Sequence, residues 1–255
     1  MTHWIIQDRV FGEETAELIK YCSSYELVEH GCNKFSYPGP YIIRGTTQFI
    51  ENIYGMWGDF CNIPSLLTLP NYECSSYYLE TQNLLNEDFL MIPWWRLKYC
   101  GRALFDYFKT DKLFIRPDSG EKLFTGTTIG LKWWDKELEI IKSLPSSDNL
   151  NMQDLILVAS ARKIWNEVRF LMCKNKIVSA SAYGDNEVPF SEGVYPDYCN
   201  MVEANFYYPD TFYTIDVGMT EQGPKIIELN SFVSAGLYEA NYEKVAKAVE
   251  EFYSC

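Results

Sequence analysis

The stretch from Phe212 to Asn230, F-Y-T-I-D-V-G-M-T-E-Q-G-P-K-I-I-E-L-N, constrains the fold more than any other part of the chain. Two runs of β-branched and aromatic residues flank the turn-forming residues 220–224, a pattern typical of a β-hairpin. Successive side chains of a strand point to opposite faces of the sheet. The hairpin should therefore have an apolar face with Ile215, Val217, Ile227 and Leu229, and a polar face with Asp216, Glu228 and Asn230.

The position of the turn sets the register of this hairpin. With the turn centred near Gln222, Asp216 lies opposite Glu228, about 5 Å away. Two carboxylates that close repel each other unless a cation lies between them. With the amide oxygen of Asn230 they form an oxygen-only ligand set, which suits Mg²⁺ bound to phosphate. The polar face thus predicts a Mg-nucleotide platform; a solvated polar face on an edge hairpin explains the same pattern and is the commoner fate of Asp and Glu.

Composition and charge narrow the classes of function. The chain has 255 residues, 47% of them hydrophobic, enough for a sizeable core in one large domain or two small ones. A net charge of −13 argues against nucleic acid and anionic membranes as partners, because Lys and Arg bind those surfaces. No apolar run reaches the roughly 20 residues that span a bilayer, and the N-terminus has no secretory signal pattern. We expect a soluble, cytoplasmic protein.

Few residues are candidates for a protein nucleophile. The eight cysteines include no C-x-x-C pair, so neither a zinc site nor a disulfide framework is predicted. The two histidines, His3 and His30, lie in no recognisable nucleophile motif. Walker A and G-x-G-x-x-G phosphate loops are absent too. A mechanism of the Ser-His-Asp or Cys-His type is therefore not indicated.

The first hundred residues alternate short strands with helices, which implies a small α/β layer with parallel pairing. Strands are predicted at 3–7, 25–28 and 41–47, the last running into a Thr-capped helix, and helices at 13–21, 76–85 and from Pro93 to Phe108. Arg44, at a strand end, could meet an anion with the backbone N–H groups of residues 45–47. An ordinary strand-to-helix turn with a solvated arginine is slightly favoured.

The middle of the chain carries candidate phosphate ligands. A strand ends at Arg116, a loop follows, and a second strand is predicted to begin near Lys122, so that both cations reach over the loop as a clamp on phosphates. Pairing with surface carboxylates is the alternative. After a buried strand at 154–160, Glu167 and Arg169 share one face of a second hairpin. Residues 184–196 form a loop that serves as a lid or a connector.

In this order, the elements resemble the ATP-grasp fold. The resemblance rests on a basic strand end, a loop lysine, an apolar linker strand, the E-x-R strand, the D…E-x-N ending, a small-residue loop and a C-terminal helix. The R-P-D…K-x-F-x-G segment resembles the clade of small ATP-grasp proteins in which an arginine replaces the usual phosphate-binding lysine. The resemblance covers residues 111–255.

The resemblance implies an α/β (α+β) fold with a small N-terminal α/β domain over residues 1–108, followed by an ATP-grasp domain of antiparallel sheets and flanking helices over residues 109–255. It implies that one or two Mg²⁺ ions on ATP are held by Asp216, Glu228 and Asn230. Arg116 and Lys122 would contact the phosphates of ATP. The backbone of Val158, Ala159 and Ser160 would bind adenine, and Arg169 would face the γ-phosphate. Glu167 stands where the family usually has aspartate, as a ribose or metal contact.

The resemblance also implies an activity. Members of the family typically join a carboxylate to an amine, through an acyl phosphate formed with Mg-ATP. The substrates expected here are a small-molecule or peptide carboxylate and an amine, and Arg44 is a candidate contact for the acceptor carboxylate. The alternatives are a phosphotransferase and a nucleotide-binding module without turnover; the complete trio of metal ligands argues against the module.

Overall fold

The structure, a computed structural model, describes residues 2–29, 31, 41–57, 69–121, 123–183, 196–205 and 207–253. Lys122 and residues 184–195, most of the predicted lid, lie outside these ranges. The strands of the described part form three sheets, one parallel and two antiparallel. Within these ranges no helix combines the length and hydropathy that a membrane crossing needs.

The first sheet is parallel, as the alternating pattern predicts. Its strands are β1 (His3–Gln7), β2 (Tyr25–Val28) and β3 (Tyr41–Arg44), with β1 in the centre. Helix α1 (Glu13–Leu18) connects the first two strands, and α2 (Thr47–Trp57) follows the third. The hydroxyl of Thr46 accepts a hydrogen bond from the Phe49 N–H at 3.2 Å, which caps α2.

The second sheet has the order β4-β7-β5-β6. A 3₁₀ turn (Leu69–Tyr72) and the short helix α3 (Cys74–Tyr77) precede it. Its elements are β4 (Leu90–Pro93), α4 (Trp94–Phe108), β5 (Lys112–Pro117), β6 (Thr127–Gly130), α5 (Trp134–Lys142) and β7 (Leu155–Ser160), with 3₁₀ turns at Leu131–Trp133 and Pro145–Ser147. The division of the chain at residue 109 stays a prediction; β4 and α4, which precede that residue, join this sheet.

The third sheet contains both predicted hairpins, in the order β11-β10-β8-β9. Its elements are β8 (Trp165–Cys173), β9 (Lys176–Tyr183), α6 (Pro196–Glu203), β10 (Phe212–Thr220), β11 (Gly223–Ser231) and the final helix α7 (Tyr242–Tyr253). The apolar faces of the second and third sheets pack together in one core cluster. The first sheet shares a second core cluster with α7.

Three predicted elements differ from the structure. The helix predicted at 76–85 is replaced by the four residues of α3 and by turns, because this segment bonds to β11: the Leu85 N–H donates to the Ile226 carbonyl. The strand predicted from Lys122 begins at Thr127. The closing helix predicted from Leu237 begins at Tyr242, because residues 237–241 bond to other parts of the chain.

A β-bulge in the main hairpin makes one detail of its predicted apolar face wrong. The register shifts between Asp216 and Val217, so that Val217 pairs with Ile226. Ile226 therefore enters the core, where it is fully buried, while Ile227 stays partly exposed and lies toward Gly218. The apolar face therefore contains Ile226 in place of Ile227, together with Ile215, Val217 and Leu229.

Candidate functional site

Two carboxylates and two guanidinium groups meet on the polar face of the main hairpin. Asp216 is the central residue: it pairs with Glu228 on β11 and with Arg169 on β8. The turn predicts the first of these pairings. The second follows from the pairing of β8 with β10, which the sequence does not predict.

The Arg169 guanidinium binds Asp216 through two parallel hydrogen bonds. Nε donates to Oδ1 at 2.7 Å and Nη2 donates to Oδ2 at 2.6 Å. Both side chains are buried, Asp216 with 2% of its side chain exposed and Arg169 with 8%. Burial acts to lower the pKa of Arg169, but the Asp216 carboxylate outweighs it and raises that pKa above its ordinary value. Arg169 therefore stays positively charged and compensates the negative charge of Asp216.

A second ion pair joins the second sheet to the third. Arg116, near the end of β5, donates from Nη1 to Glu228 Oε2 at 3.1 Å. Burial acts to lower the pKa of Arg116, but its ionisable neighbours, Tyr77, Cys74 and Glu228 among them, raise it well above the ordinary value. The Glu228 side chain keeps 20% of its surface exposed, so it is the more accessible carboxylate of the two.

Asn230 connects the two carboxylates. Its Nδ2 donates to Glu228 Oε1 at 2.9 Å and to Asp216 Oδ2 at 3.2 Å. The sequence predicts that the amide oxygen converges with the carboxylates, whereas the structure brings the amide nitrogen there. The reason is that carboxylates only accept hydrogen bonds, so the donor end of the amide is favoured between them. Asn230 nevertheless lies within hydrogen-bond distance of both carboxylates, so the structure brings the three predicted metal ligands together.

The charges of this cluster balance, since two carboxylates face two guanidinium groups. Within the described ranges, no group of three His, Cys, Asp or Glu side chains could hold a metal ion. The polar side chains of the site that carry oxygen are the two carboxylates and the amide of Asn230. Glu167, two residues before Arg169 on β8, lies opposite Gly218 and Tyr183 at the side of the cluster.

Two tyrosines that the sequence does not point to lie beside Arg169. The rings of Tyr183 and Tyr238 stack with centroids 4.7 Å apart and an angle of 12° between their planes. The guanidinium carbon of Arg169 lies 5.6 Å from the first centroid and 5.0 Å from the second. Hairpin alternation from the turn at Lys174 could have found Tyr183, which pairs with Glu167. No local pattern signals Tyr238, which lies in the loop before α7.

Arg44 is buried, so the favoured interpretation of a solvated arginine is wrong, and its guanidinium binds backbone carbonyls. Its side chain is buried, Nη1 donates to the Phe232 carbonyl at 2.7 Å, and Nη2 donates to the Ala235 carbonyl at 2.9 Å. Burial lowers the pKa of Arg44 to about 10, which still leaves the group charged at neutral pH. The predicted anion site at the start of α2 is occupied as well, because the Thr46 N–H donates to Gln7 Oε1 at 2.8 Å.

The strand predicted to hold adenine lies inside the second sheet. Val158 pairs with Leu90 on one side and with Ile115 on the other, which commits its backbone. Ala159 and Ser160 pair with β5 and extend past the end of β4. The backbone available for an adenine contact is therefore that of Ala159 and Ser160, and the contact itself stays a prediction.

A cavity of about 470 Å³ opens beside the cluster. Its lining includes Arg116 and Asn230, Thr47 at the start of α2, and the loop at 119–121. Glu51 also faces this cavity, and burial together with the charge of Glu121 raises the pKa of Glu51. The volume suits a small-molecule ligand.

A family model matches residues 106–252, more than half of the chain. It describes an ATP-grasp domain, the third family of the clade with arginine in place of the usual lysine. The chain belongs to this clade of the ATP-grasp family. The recognition made from the D…E-x-N hairpin and the R-P-D segment is thereby confirmed, and so is the fold class. No curated protein matches the sequence.

Solved ATP-grasp structures share this fold at low sequence identity. D-cycloserine synthetase DcsG matches with a TM-score of 0.63 and 9% identity, over 99% of each chain. A RimK-domain ATP-grasp protein of Sphaerobacter thermophilus matches with 0.61 and 13%, over 100% of each chain. D-alanine–D-alanine ligase of Bacillus anthracis matches with 0.60 and 12%, over 100% of this chain and 94% of that one. At these identities the likeness concerns the fold alone.

Proposed function

We propose that this ATP-grasp protein is an ATP-dependent ligase that joins a carboxylate to an amine. The observation that carries the proposal is the buried cluster in which Arg169 and Arg116 each pair with a carboxylate of the D…E-x-N hairpin. A nucleoside triphosphate with its metal ion needs cations and anions close together, and such a cluster offers both. Three structural matches bear names of enzymes called synthetase or ligase: DcsG, D-alanine–D-alanine ligase and the ligase PsnB.

The residues of the cluster fit a magnesium ion by their chemistry. Mg²⁺ prefers carboxylate and carbonyl oxygens and keeps part of its shell for water and phosphate. The residues that would hold it are Asp216, Glu228 and Asn230, the last through its amide oxygen after the amide group has turned over, because its nitrogen now faces the carboxylates. Magnesium, when bound, would neutralise phosphate charge and polarise the phosphoryl group.

Arg116 and Arg169 would bind the phosphates of ATP. Both are buried and both stay charged, because their ionisable neighbours raise their pKa. A guanidinium group binds phosphate oxygens as well as it binds carboxylate oxygens, through the same pair of parallel N–H donors. We expect the arginines to exchange carboxylate partners for phosphate when ATP enters. Lys122, outside the described residues, is proposed as a third cation.

Phosphoryl transfer then needs no protein nucleophile. The carboxylate substrate attacks the γ-phosphate, ADP leaves, and the amine displaces phosphate from the resulting acyl phosphate. The protein's part is to orient the substrates, to stabilise charge with Arg169 and Arg116, and to exclude water from the acyl phosphate. The cavity beside Arg116 and Asn230 is the proposed acceptor site, because it adjoins the phosphate ligands.

The test is ADP release by the purified full chain, measured against a panel of carboxylates and amines. The proposal predicts release only when both substrates and Mg-ATP are present, and an amide product in the mass spectrum. A heavy-oxygen label on the carboxylate should appear in the released phosphate, since the acyl phosphate transfers it. A phosphorylated acceptor as the final product would instead show a phosphotransferase, and nucleotide binding without any turnover would show a binding module.

A variant pair ties this activity to the cluster. Glu228→Gln removes a proposed metal ligand and should lower kcat by at least about 100-fold, as for loss of a transition-state charge contact. Glu221→Gln makes the same chemical change at the exposed tip of the same hairpin and should leave kcat unchanged. Equal activity of the two variants would refute the assignment of Glu228.

A further inference from the structure

Glu14, in the first turn of α1, reaches the loop between β11 and α7, 223 residues away. Its Oε2 accepts the N–H of Leu237 at 2.7 Å and its Oε1 accepts the N–H of Tyr238 at 2.9 Å. Both carboxylate oxygens are therefore used on two successive backbone N–H groups. Since neither oxygen can turn elsewhere without losing a donor, the carboxylate holds this part of the loop in one orientation.

The same peptide unit reaches Arg169 from its other side. The Leu237 N–H and the Gly236 carbonyl belong to one peptide bond, and the carbonyl accepts a hydrogen bond from Arg169 Nη1 at 3.0 Å. A trans peptide is planar, with its N–H and its C=O pointing in opposite directions. Fixing the N–H on Glu14 therefore aims the carbonyl at Arg169.

Gly236 allows this close approach. A Cβ atom built on Gly236 would lie 3.2 Å from Glu14 Oε1 and 3.9 Å from Arg169 Nη1. The glutamate and the arginine thus pack against the same residue from two sides, and there is little space for a larger side chain between them.

Tyr238 is the second contact through which Glu14 acts. Its φ of 51° is left-handed, a conformation that costs a non-glycine residue free energy unless its surroundings hold it. The hydrogen bond from its N–H to Glu14 supplies such a hold. In that conformation the ring stacks on Tyr183 and faces the guanidinium of Arg169.

We propose that Glu14 is a positioning residue for Arg169. It fixes residues 236–238 so that the Gly236 carbonyl and the Tyr238 ring hold the guanidinium in place beside Asp216. This links the N-terminal α/β layer directly to the phosphate ligands. The effect on turnover rests on the proposed function, in which Arg169 binds the transferring phosphoryl group; the effect on the Arg169 side chain does not.

The test compares Glu14→Gln with Glu13→Gln. The control makes the same chemical change at the neighbouring, exposed residue of the same helical turn. An amide at residue 14 retains one acceptor but places an NH₂ group against the second backbone N–H, so Arg169 loses part of its support. We expect kcat to fall about 10- to 100-fold with the KM for ATP changed less than about twofold, as misplacement of a catalytic group produces.

A spectroscopic readout decides the positioning claim without turnover. In protein labelled at arginine with ¹⁵N, the Arg169 Nε–H resonance is assigned by its loss in Arg169→Lys. The proposal predicts that Glu14→Gln shifts and broadens this resonance and that Glu13→Gln leaves it unchanged. An unshifted resonance in a folded Glu14→Gln protein would overturn the proposal. If the wild type forms no amide with any acceptor, the ligase proposal fails while this readout still decides the role of Glu14.

A shorter acid serves if Glu14→Gln does not fold. Glu14→Asp keeps the charge but is one methylene short of the loop, so it should reproduce the shift of the Arg169 resonance and the loss of kcat. Wild-type values for both in Glu14→Asp would overturn the proposal, because they would show that charge alone, without contact, is sufficient.

Discussion

The buried pair of Arg169 and Asp216 should show a large energetic coupling in a double-mutant cycle. Arg169→Met leaves the Asp216 carboxylate, 2% exposed, without its cation, and Asp216→Leu leaves Nε and Nη2 of the guanidinium without their carboxylate acceptor. Removing one partner of a buried ion pair costs about 3–5 kcal/mol, whereas replacing both by apolar groups costs much less than the sum. We therefore expect a coupling of about 2–3 kcal/mol.

Urea unfolding, followed by the fluorescence of the seven tryptophans, measures the four free energies of unfolding. The matched control is the exposed pair of Lys98 and Glu139, whose side chains are 58% and 61% exposed and 3.0 Å apart. Water screens that pair, so its cycle should show a far smaller coupling. Equal coupling energies for the two pairs would refute the claim that burial makes the Arg169–Asp216 contact decisive.

Three further predictions concern stability. Arg44→Met should lower the free energy of unfolding by about 3 kcal/mol, since two hydrogen bonds from a buried charge are lost; a stable variant with a raised acceptor KM would contradict the structural role. Burial raises the pKa of Tyr242 from 10.0 to about 12, so the protonated ring favours the folded state. The stabilising effect of the protonated ring is complete below pH 10 and is lost as the pH rises to 12. Measurements of Tm and of tyrosinate absorbance against pH should show this loss together. Tyrosinate absorbance from Tyr242 at pH 10 in folded protein would contradict the raised pKa. Gly101→Ala places a Cβ 2.5 Å from Trp134 Cδ1 and should destabilise by about 1–3 kcal/mol, unlike Gly55→Ala, whose Cβ meets nothing within 4 Å.

The sequence predicts those parts of the site whose geometry depends on residues close together in the chain. The turn at 220–224 and the alternation around it fix the pairing of Asp216 with Glu228, because register in a hairpin depends on a few neighbouring residues. The parallel first sheet follows in the same way from alternating strands and helices. The order of the predicted elements led to the ATP-grasp resemblance, which the family match confirms.

The remaining features depend on contacts between distant residues. The segment predicted as a helix at 76–85 bonds instead to β11, and no local pattern announces that partner. The sequence favours a solvated Arg44 over an anion ligand, whereas residues about 190 positions later in the chain bury this side chain. The bulge that exchanges Ile227 for Ile226 arises within the paired ladder, which hydrophobic alternation does not describe. Glu14 is one of two glutamates in its helical turn, and only the fold distinguishes it from Glu13.

We propose that the hairpin side chains Asp216, Glu228 and Asn230 hold a divalent ion on a triphosphate. Crystals grown with Mn²⁺ and a non-hydrolysable ATP analogue test it most directly, since manganese gives an anomalous signal. We expect an anomalous peak at about 2.2 Å from oxygens of these three side chains, with Arg116 and Arg169 on the phosphates. Nucleotide bound elsewhere, with the Arg116–Glu228 and Arg169–Asp216 pairs intact and no peak between them, would contradict it.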